Sequence, residues 1–209
     1  MSNAPLRTMA RLVGAPVRAL VRRSPRLTAA LWDTQYALGF WRYLDGTGDG
    51  ALPLSLIETW APRPTILDLG CGTSANLPLA RGRYRHYHGV DISRRAIETA
   101  RSLGRPDASY EVADIRAYET PDRYDAILLR EVIYYLSVAE AEHLLRRLPA
   151  LLTARGRILV QIYDPERSRQ FVEVIRDCGL DLTTGPPTGS DDGASGAFFV
   201  LTPVGTPRS

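Results

Sequence analysis

One stretch constrains the chain more than any other. Ile66-Leu67-Asp68-Leu69-Gly70-Cys71-Gly72-Thr73-Ser74-Ala75 is an apolar run that breaks into glycines and small residues. That is how a buried strand feeds a ligand-binding turn in a parallel α/β unit. Beyond this turn the chain alternates strand with helix. Strands are expected over 65–69, 87–90, 109–113, 125–129 and 157–162. Helices are expected over 74–80, from the cap Ser93 to about 103, over 138–152 and over 165–178. Residues 180–183 and 197–202 read as two last strands. Only a polar turn region joins them, so they pair antiparallel. The predicted fold class is α/β, a doubly wound, mostly parallel seven-stranded sheet with an antiparallel C-terminal strand pair and a helical N-terminal extension.

The length of 209 residues and 44% hydrophobic content suit one compact domain with an extra terminal element. The expected division is a basic and aromatic helical cap over 1–60 and a ligand-binding domain over 61–209. No apolar run approaches the ~20 residues of a membrane helix, and the N-terminus has no apolar h-region with a cleavage site. Cys71 and Cys178 are too few for a disulfide framework or a thiolate metal site. A cytoplasmic setting without stable membrane insertion is expected. All 26 basic residues are arginine, yet the net charge is only +3, too small to argue for a nucleic-acid partner.

The arginines are unevenly placed. Six fall between Ala4 and Leu31 with no acidic residue among them, and Pro16 and Pro25 divide that segment into two short helices. A solvated basic face on a packed helix is the favoured reading; a surface for anionic lipid or a phosphorylated substrate is the other. Five of the 17 aromatics then crowd residues 31–43. Trp32, Tyr36 and Trp41 among them are candidates for a lid over the cleft. Residues 45–50 imitate a calcium loop, but position twelve from Asp45 is Leu56 rather than glutamate.

Three successive strands end in aspartate: Asp68, Asp91 and Asp114. Ligands of doubly wound sheets bind at that edge. Asp91 lies 19 residues beyond Gly72, a spacing that suits a carboxylate accepting ribose hydroxyls. Asp114 can accept from an exocyclic amine, with Ile115 against the ring. The glycines alone fit G-x-G-x-x-A, hence a dinucleotide. Asp68 argues against it. At about 4 Å and an effective dielectric near 20, a phosphate beside this carboxylate costs about 4 kcal/mol, and a cation gains as much.

In order, residues 66–75, 88–93, 110–115 and 124–136 resemble the successive motifs of class I S-adenosylmethionine-dependent methyltransferases, whose fold is Rossmann-like. GAFFVLTP resembles that family's late strand pair. The resemblance implies S-adenosylmethionine as cofactor. It places Asp68, Gly70, Cys71 and Gly72 at the methionine end, Asp91 with Ile92 at the ribose, Asp114 with Ile115 at the adenine, and Arg130 beside the transferable methyl. Many members carry a third glycine where this chain has Ser74. Arg130-Glu131-Val132-Ile133-Tyr134-Tyr135-Leu136 also resembles the corresponding motif of nodulation-type N-methyltransferases. Glu131 is the candidate base, and Tyr134 and Tyr135 are candidates to orient the acceptor. The Asn/Asp-Pro-Pro-Tyr/Phe signature of enzymes that methylate planar amines is absent, which favours a small-molecule acceptor methylated on oxygen or nitrogen. His86, His88 and His143 form no metal-ligand pattern, so no metal is expected. A NAD-dependent oxidoreductase and a non-catalytic S-adenosylmethionine-binding protein are the alternatives.

Overall fold

The computed structural model describes residues 24–41, 51–77, 79, 82–186, 188–189 and 195–205. The basic segment up to residue 23 with Pro16, and residues 45–50, lie outside them. The strands are β1 (Thr65–Leu69), β2 (His86–Asp91), β3 (Ala108–Val112), β4 (Tyr124–Arg130), β5 (Leu152–Ile162), β6 (Asp181–Thr184), β7 (Thr188–Gly189) and β8 (Ser195–Thr202). Their order is β3-β2-β1-β4-β5-β8-β6, with the two-residue β7 pairing β8 off this path. β1, β2, β3, β4 and β5 are parallel to one another, while β8 runs antiparallel between β5 and β6. This is the expected mostly parallel sheet with an antiparallel C-terminal end.

The chain steps from β1 outward to β3, then returns across β1 to β4. The crevice of such a sheet opens at that reversal, outside the carboxyl ends of β1 and β4. Each central strand is covered on both faces, which is why Ile66, Leu67, Ile127, Leu128 and Leu129 form near-continuous apolar runs. On one face Leu67, Leu69, Ile127, Leu129 and Val160 meet Leu144, Leu145, Phe171 and Ile175. On the other, Ile66, Ala126, Leu128 and Tyr87 meet Leu54, Ile57, Ile97 and Ala100.

Local chemistry sets the helices. α1 (Pro25–Ala37) begins with Ser24 accepting from the Leu27 N–H, and Pro25 takes the first turn, where its missing N–H costs nothing. α2 (Ala51–Glu58) was not foreseen, although Leu54 and Ile57 bury one side of it. α3 (Arg94–Ser102) is capped by Ser93 as expected. α4 (Val138–Arg147) starts from a reciprocal capping box between Ser137 and Glu140. It stops short of residue 152, because Pro149 turns Leu148–Leu151 into a 3-10 segment. α5 (Arg169–Asp177) starts later than Pro165, after a turn in which Asp164 accepts from the Arg167 N–H.

The expected helix over 74–80 is replaced by turns among its described residues. Ser74 has φ +48°, which no α-helix admits. The Arg105 guanidinium also donates to the carbonyls of Ser74 and Leu77, both at 3.0 Å, groups that a helix would use internally. Among the described residues, no helix is long and apolar enough to cross a membrane.

Candidate functional site

The carboxyl ends of β1, β2 and β4 converge on the glycine turn. Asp68 is 1% exposed. Its Oδ2 accepts from the Tyr87 hydroxyl at 2.7 Å, and its Oδ1 is buried without a hydrogen-bond partner among the described residues. Burial pushes this carboxyl above the usual carboxylate range, opposed by the Arg130 guanidinium and the Tyr87 hydroxyl. The turn itself is tied down by the Gly70 and Cys71 N–H groups, which donate to the Val90 carbonyl at 2.7 and 3.0 Å. Gly70 has φ +81°, and a Cβ there would stand 2.9 Å from Val132 Cβ. At Gly72, with φ +54°, a Cβ would lie 2.7 Å from the Tyr36 hydroxyl. At these two glycines the turn presents backbone beside Asp68. Cys71 offers no nucleophile, since burial and then Asp91 and Asp68 push its thiol well above the ordinary range.

Ser93 caps α3, and Asp91 is itself bonded on both oxygens. Asp91 Oδ1 accepts from the Ser93 N–H at 2.8 Å and Oδ2 from the Gly72 N–H at 2.9 Å. Burial raises its carboxyl to about 6, against the pull of those two N–H groups. Each carboxylate oxygen has a second lone pair, so hydroxyl donors still find acceptors there. Ile92 is half-buried beside it.

Asp114 is more heavily engaged. The Arg116 guanidinium, two residues on, pairs with it at 2.6 Å and reaches Glu140 at 3.1 Å. Ile115 is buried in the core below. Arg130 donates through Nε to Gln161 at 3.2 Å and lies within charge range of Asp68.

Glu131 follows β4 with φ +55°, a left-handed conformation costing about 1–3 kcal/mol for a residue with a side chain. Its Oε2 accepts from the Tyr134 hydroxyl at 2.6 Å and from the Tyr163 N–H at 3.0 Å. Tyr135 packs at a tilt against Tyr134, 4.9 Å between ring centres, and stands edge-on to Trp32 at 4.8 Å. Trp32 in turn touches Trp41 at 5.5 Å and Tyr36 at 6.4 Å. The candidate aromatics of the N-terminal segment and those after β4 therefore form one cluster.

Asp33 holds α1 over this edge. Its Oδ1 accepts from the Ser93 hydroxyl at 2.6 Å and the Arg95 N–H at 3.1 Å, giving α3 a second cap from another helix. Sequence reasoning missed Asp33, Tyr87 and Gln161. Asp33 and Gln161 carry no local signal. Tyr87 has one, the glycine two residues later on the same strand face. His88, by contrast, lies among Tyr118 and Tyr124 with Nδ1 2.7 Å from Ser109, away from this edge. Among the described residues no group of three or more His, Cys, Asp or Glu side chains is placed to hold a metal.

Residues 66–156 match the family model described as a methyltransferase domain. No curated protein matches the chain by sequence. Solved structures share the fold. The magnesium protoporphyrin IX methyltransferase ChlM of Synechocystis PCC 6803, with SAM bound, is 18% identical over 85% of this chain and 96% of that one, at TM-score 0.65. The N-methyltransferase NodS of Bradyrhizobium japonicum WM9, in complex with S-adenosyl-L-homocysteine, is 16% identical over 73% and 85%, at TM-score 0.60. The amino pentose methyltransferase CalS10 of Micromonospora echinaspora, with SAM bound, is 16% identical over 79% and 96%, at TM-score 0.63.

Proposed function

From the premise that residues 66–156 are a methyltransferase domain, we propose that this chain moves a methyl group from S-adenosylmethionine to an oxygen or nitrogen of a small-molecule acceptor. The observation that carries the reading is Asp68 Oδ1, an acceptor buried without a partner among the described residues, beside a turn kept open by Gly70 and Gly72. An ammonium group satisfies it, whereas a phosphate would be repelled. A dinucleotide is therefore the poorer fit, despite the glycine spacing. Asp91 holds the ribose hydroxyls. Asp114, whose two oxygens already accept from the Arg116 backbone N–H, Nε and Nη2, would share them with the adenine amine, with Ile115 below it. Ile92 and Cys71 line the walls.

S-adenosylmethionine, when bound, supplies a methyl group already activated on a sulfonium. What remains for the chain is to position an acceptor and exclude water. Glu131, held by the Tyr134 hydroxyl and the Tyr163 N–H, accepts the acceptor's proton. Tyr134 and Tyr135 orient the acceptor against Trp32, Tyr36 and Trp41, and α1 closes over it as a lid. A small acceptor is supported by the acceptors named for ChlM and CalS10, a porphyrin and an amino pentose. The setting we assign is cytoplasmic. The test is a screen of amino sugars, phenols and amino acids with labelled S-adenosylmethionine. Label transferred to any of them supports catalysis. Tight cofactor binding with no transfer to any acceptor would leave a binding protein, and NADH binding without S-adenosylmethionine binding would overturn the reading.

Asp91 makes cofactor affinity depend on pH. Its carboxyl is raised from 3.8 to about 6, and only the ionised form accepts two hydroxyl donors at full strength. Affinity should be weak below pH 6, rise through about 6 and level off above. The free protein behaves oppositely. Folded Asp91 keeps its proton where the unfolded chain has released it, so its contribution to stability falls as the pH climbs from 3.8 to about 6. Calorimetry from about pH 5 to pH 8 checks this, with Asp91→Asn expected to flatten the step.

A further inference from the structure

Tyr87 is a fully buried tyrosine in mid-strand, one step below the ligand edge. In the β1–β2 register Tyr87 pairs with Ile66, and Gly89 pairs with Asp68. The residue level with Asp68 is therefore the glycine, not the tyrosine. Side chains two apart on a strand share a face and lean along it. Here the Tyr87 ring fills the space beside Gly89: a Cβ on that glycine would lie 3.1 Å from Tyr87 Cε1 and 2.8 Å from Cys71 Sγ. With no side chain in the way, the phenol spans one strand pair and puts its hydroxyl 2.7 Å from Asp68 Oδ2.

That hydroxyl is an expensive group to bury, since desolvation and the nearby Asp68 charge push its own ionisation well above the ordinary range. It stays a donor. The core needs no hydroxyl at this position, because a phenylalanine would pack against Tyr110 equally well. The hydroxyl's partner is Asp68 Oδ2, and the other oxygen, Oδ1, is left as an acceptor with no protein donor among the described residues.

We propose that Tyr87 is a positioning residue, occupying Asp68 Oδ2 so that Oδ1 stands ready as the acceptor for the ammonium group of S-adenosylmethionine. The inference rests on the cofactor reading above. It gives Gly89 a purpose as well, as the gap through which the tyrosine reaches the carboxylate.

Two ligands separate this role from a merely structural one. S-adenosylhomocysteine carries the ammonium; 5′-methylthioadenosine has the same adenosine and sulfur without it. Tyr87→Phe should weaken S-adenosylhomocysteine about tenfold and leave 5′-methylthioadenosine within about twofold. Its S-adenosylhomocysteine binding should also fail at a higher pH than in the parent, because Asp68 has lost a donor that favours its charged form. In an Asp68→Asn background, Tyr87→Phe should cost S-adenosylhomocysteine nothing further. That pair of variants carries no charge at position 68 and decides the matter even if the single variant does not fold. Equal loosening of both ligands, no loosening of either, or a further loss in the Asp68→Asn background each overturns the role of Tyr87. A parent protein that binds neither ligand overturns the cofactor reading instead.

Discussion

Asp91→Ala should weaken S-adenosylmethionine and S-adenosylhomocysteine by a hundredfold or more, about 2.7 kcal/mol, while lowering the melting temperature by only a few degrees. The affinity argument is direct. A carboxylate that accepts ribose hydroxyls contributes about 1.5–3 kcal/mol per bond. The stability argument is a near cancellation. Without the carboxylate, the Gly72 and Ser93 N–H groups lose their acceptor, at about 1–3 kcal/mol each. Against that, the variant no longer buries a charge whose carboxyl is raised from 3.8 to about 6, a relief of roughly 3 kcal/mol. The remainder is on the order of 1–2 kcal/mol, a few degrees for a chain of this size. Calorimetry and thermal melts on the same sample check both halves. Undiminished affinity would remove Asp91 from the ribose site; a collapse of the fold would show that its bonds to the turn outweigh the buried charge.

Gly70→Ala should be the reverse, a stability defect first. The residue sits at φ +81°, which costs a side-chain-bearing residue about 1–2 kcal/mol. The new methyl would also stand within 3 Å of the Val132 Cβ, and a β-branched side chain on the turn after β4 has little room to yield. Overpacking of this kind adds about 1–3 kcal/mol. The sum, about 2–5 kcal/mol, lowers the melting temperature by roughly 5–15 °C. Val132→Ala in the same chain removes the two Val132 methyls, one of which is the closest atom to the new Cβ, and should recover most of the packing part while leaving the Cβ contact and the backbone part. Recovery of everything would mean that the left-handed turn carries no strain; recovery of nothing would mean that the contact is not the cause.

Much of this was readable from residue order, and the reasons differ by element. Burial on both faces writes itself into sequence as unbroken apolar runs, so β1 and β4 were legible. An aspartate at the end of each of three strands marks the ligand edge in the sequence itself. Contacts between distant elements were not legible. Arg105 unwinds the expected helix at Ser74 from 31 residues away, and nothing near Ser74 announces it. Asp33 caps a helix 60 residues further along the chain. Asp114 was read without weighing Arg116, two positions on, which claims much of its carboxylate. The position where relatives often carry a third glycine also has its explanation. Ser74 occupies a left-handed φ, and its hydroxyl is bonded to Tyr110 at 3.2 Å and to Arg105 at 3.1 Å.

α1 buries none of its side chains. It is moored by Asp33 on the tip of α3 and by Trp32 against Tyr135. A door hung this way swings without loosening the wall. With α1 as the lid proposed above, traffic of small molecules through the crevice would be set by how often it opens, a frequency that the melting point of the domain does not report. Two variants of equal thermal stability can therefore differ widely in how long they hold a ligand, depending on which side of the Asp33 mooring they touch.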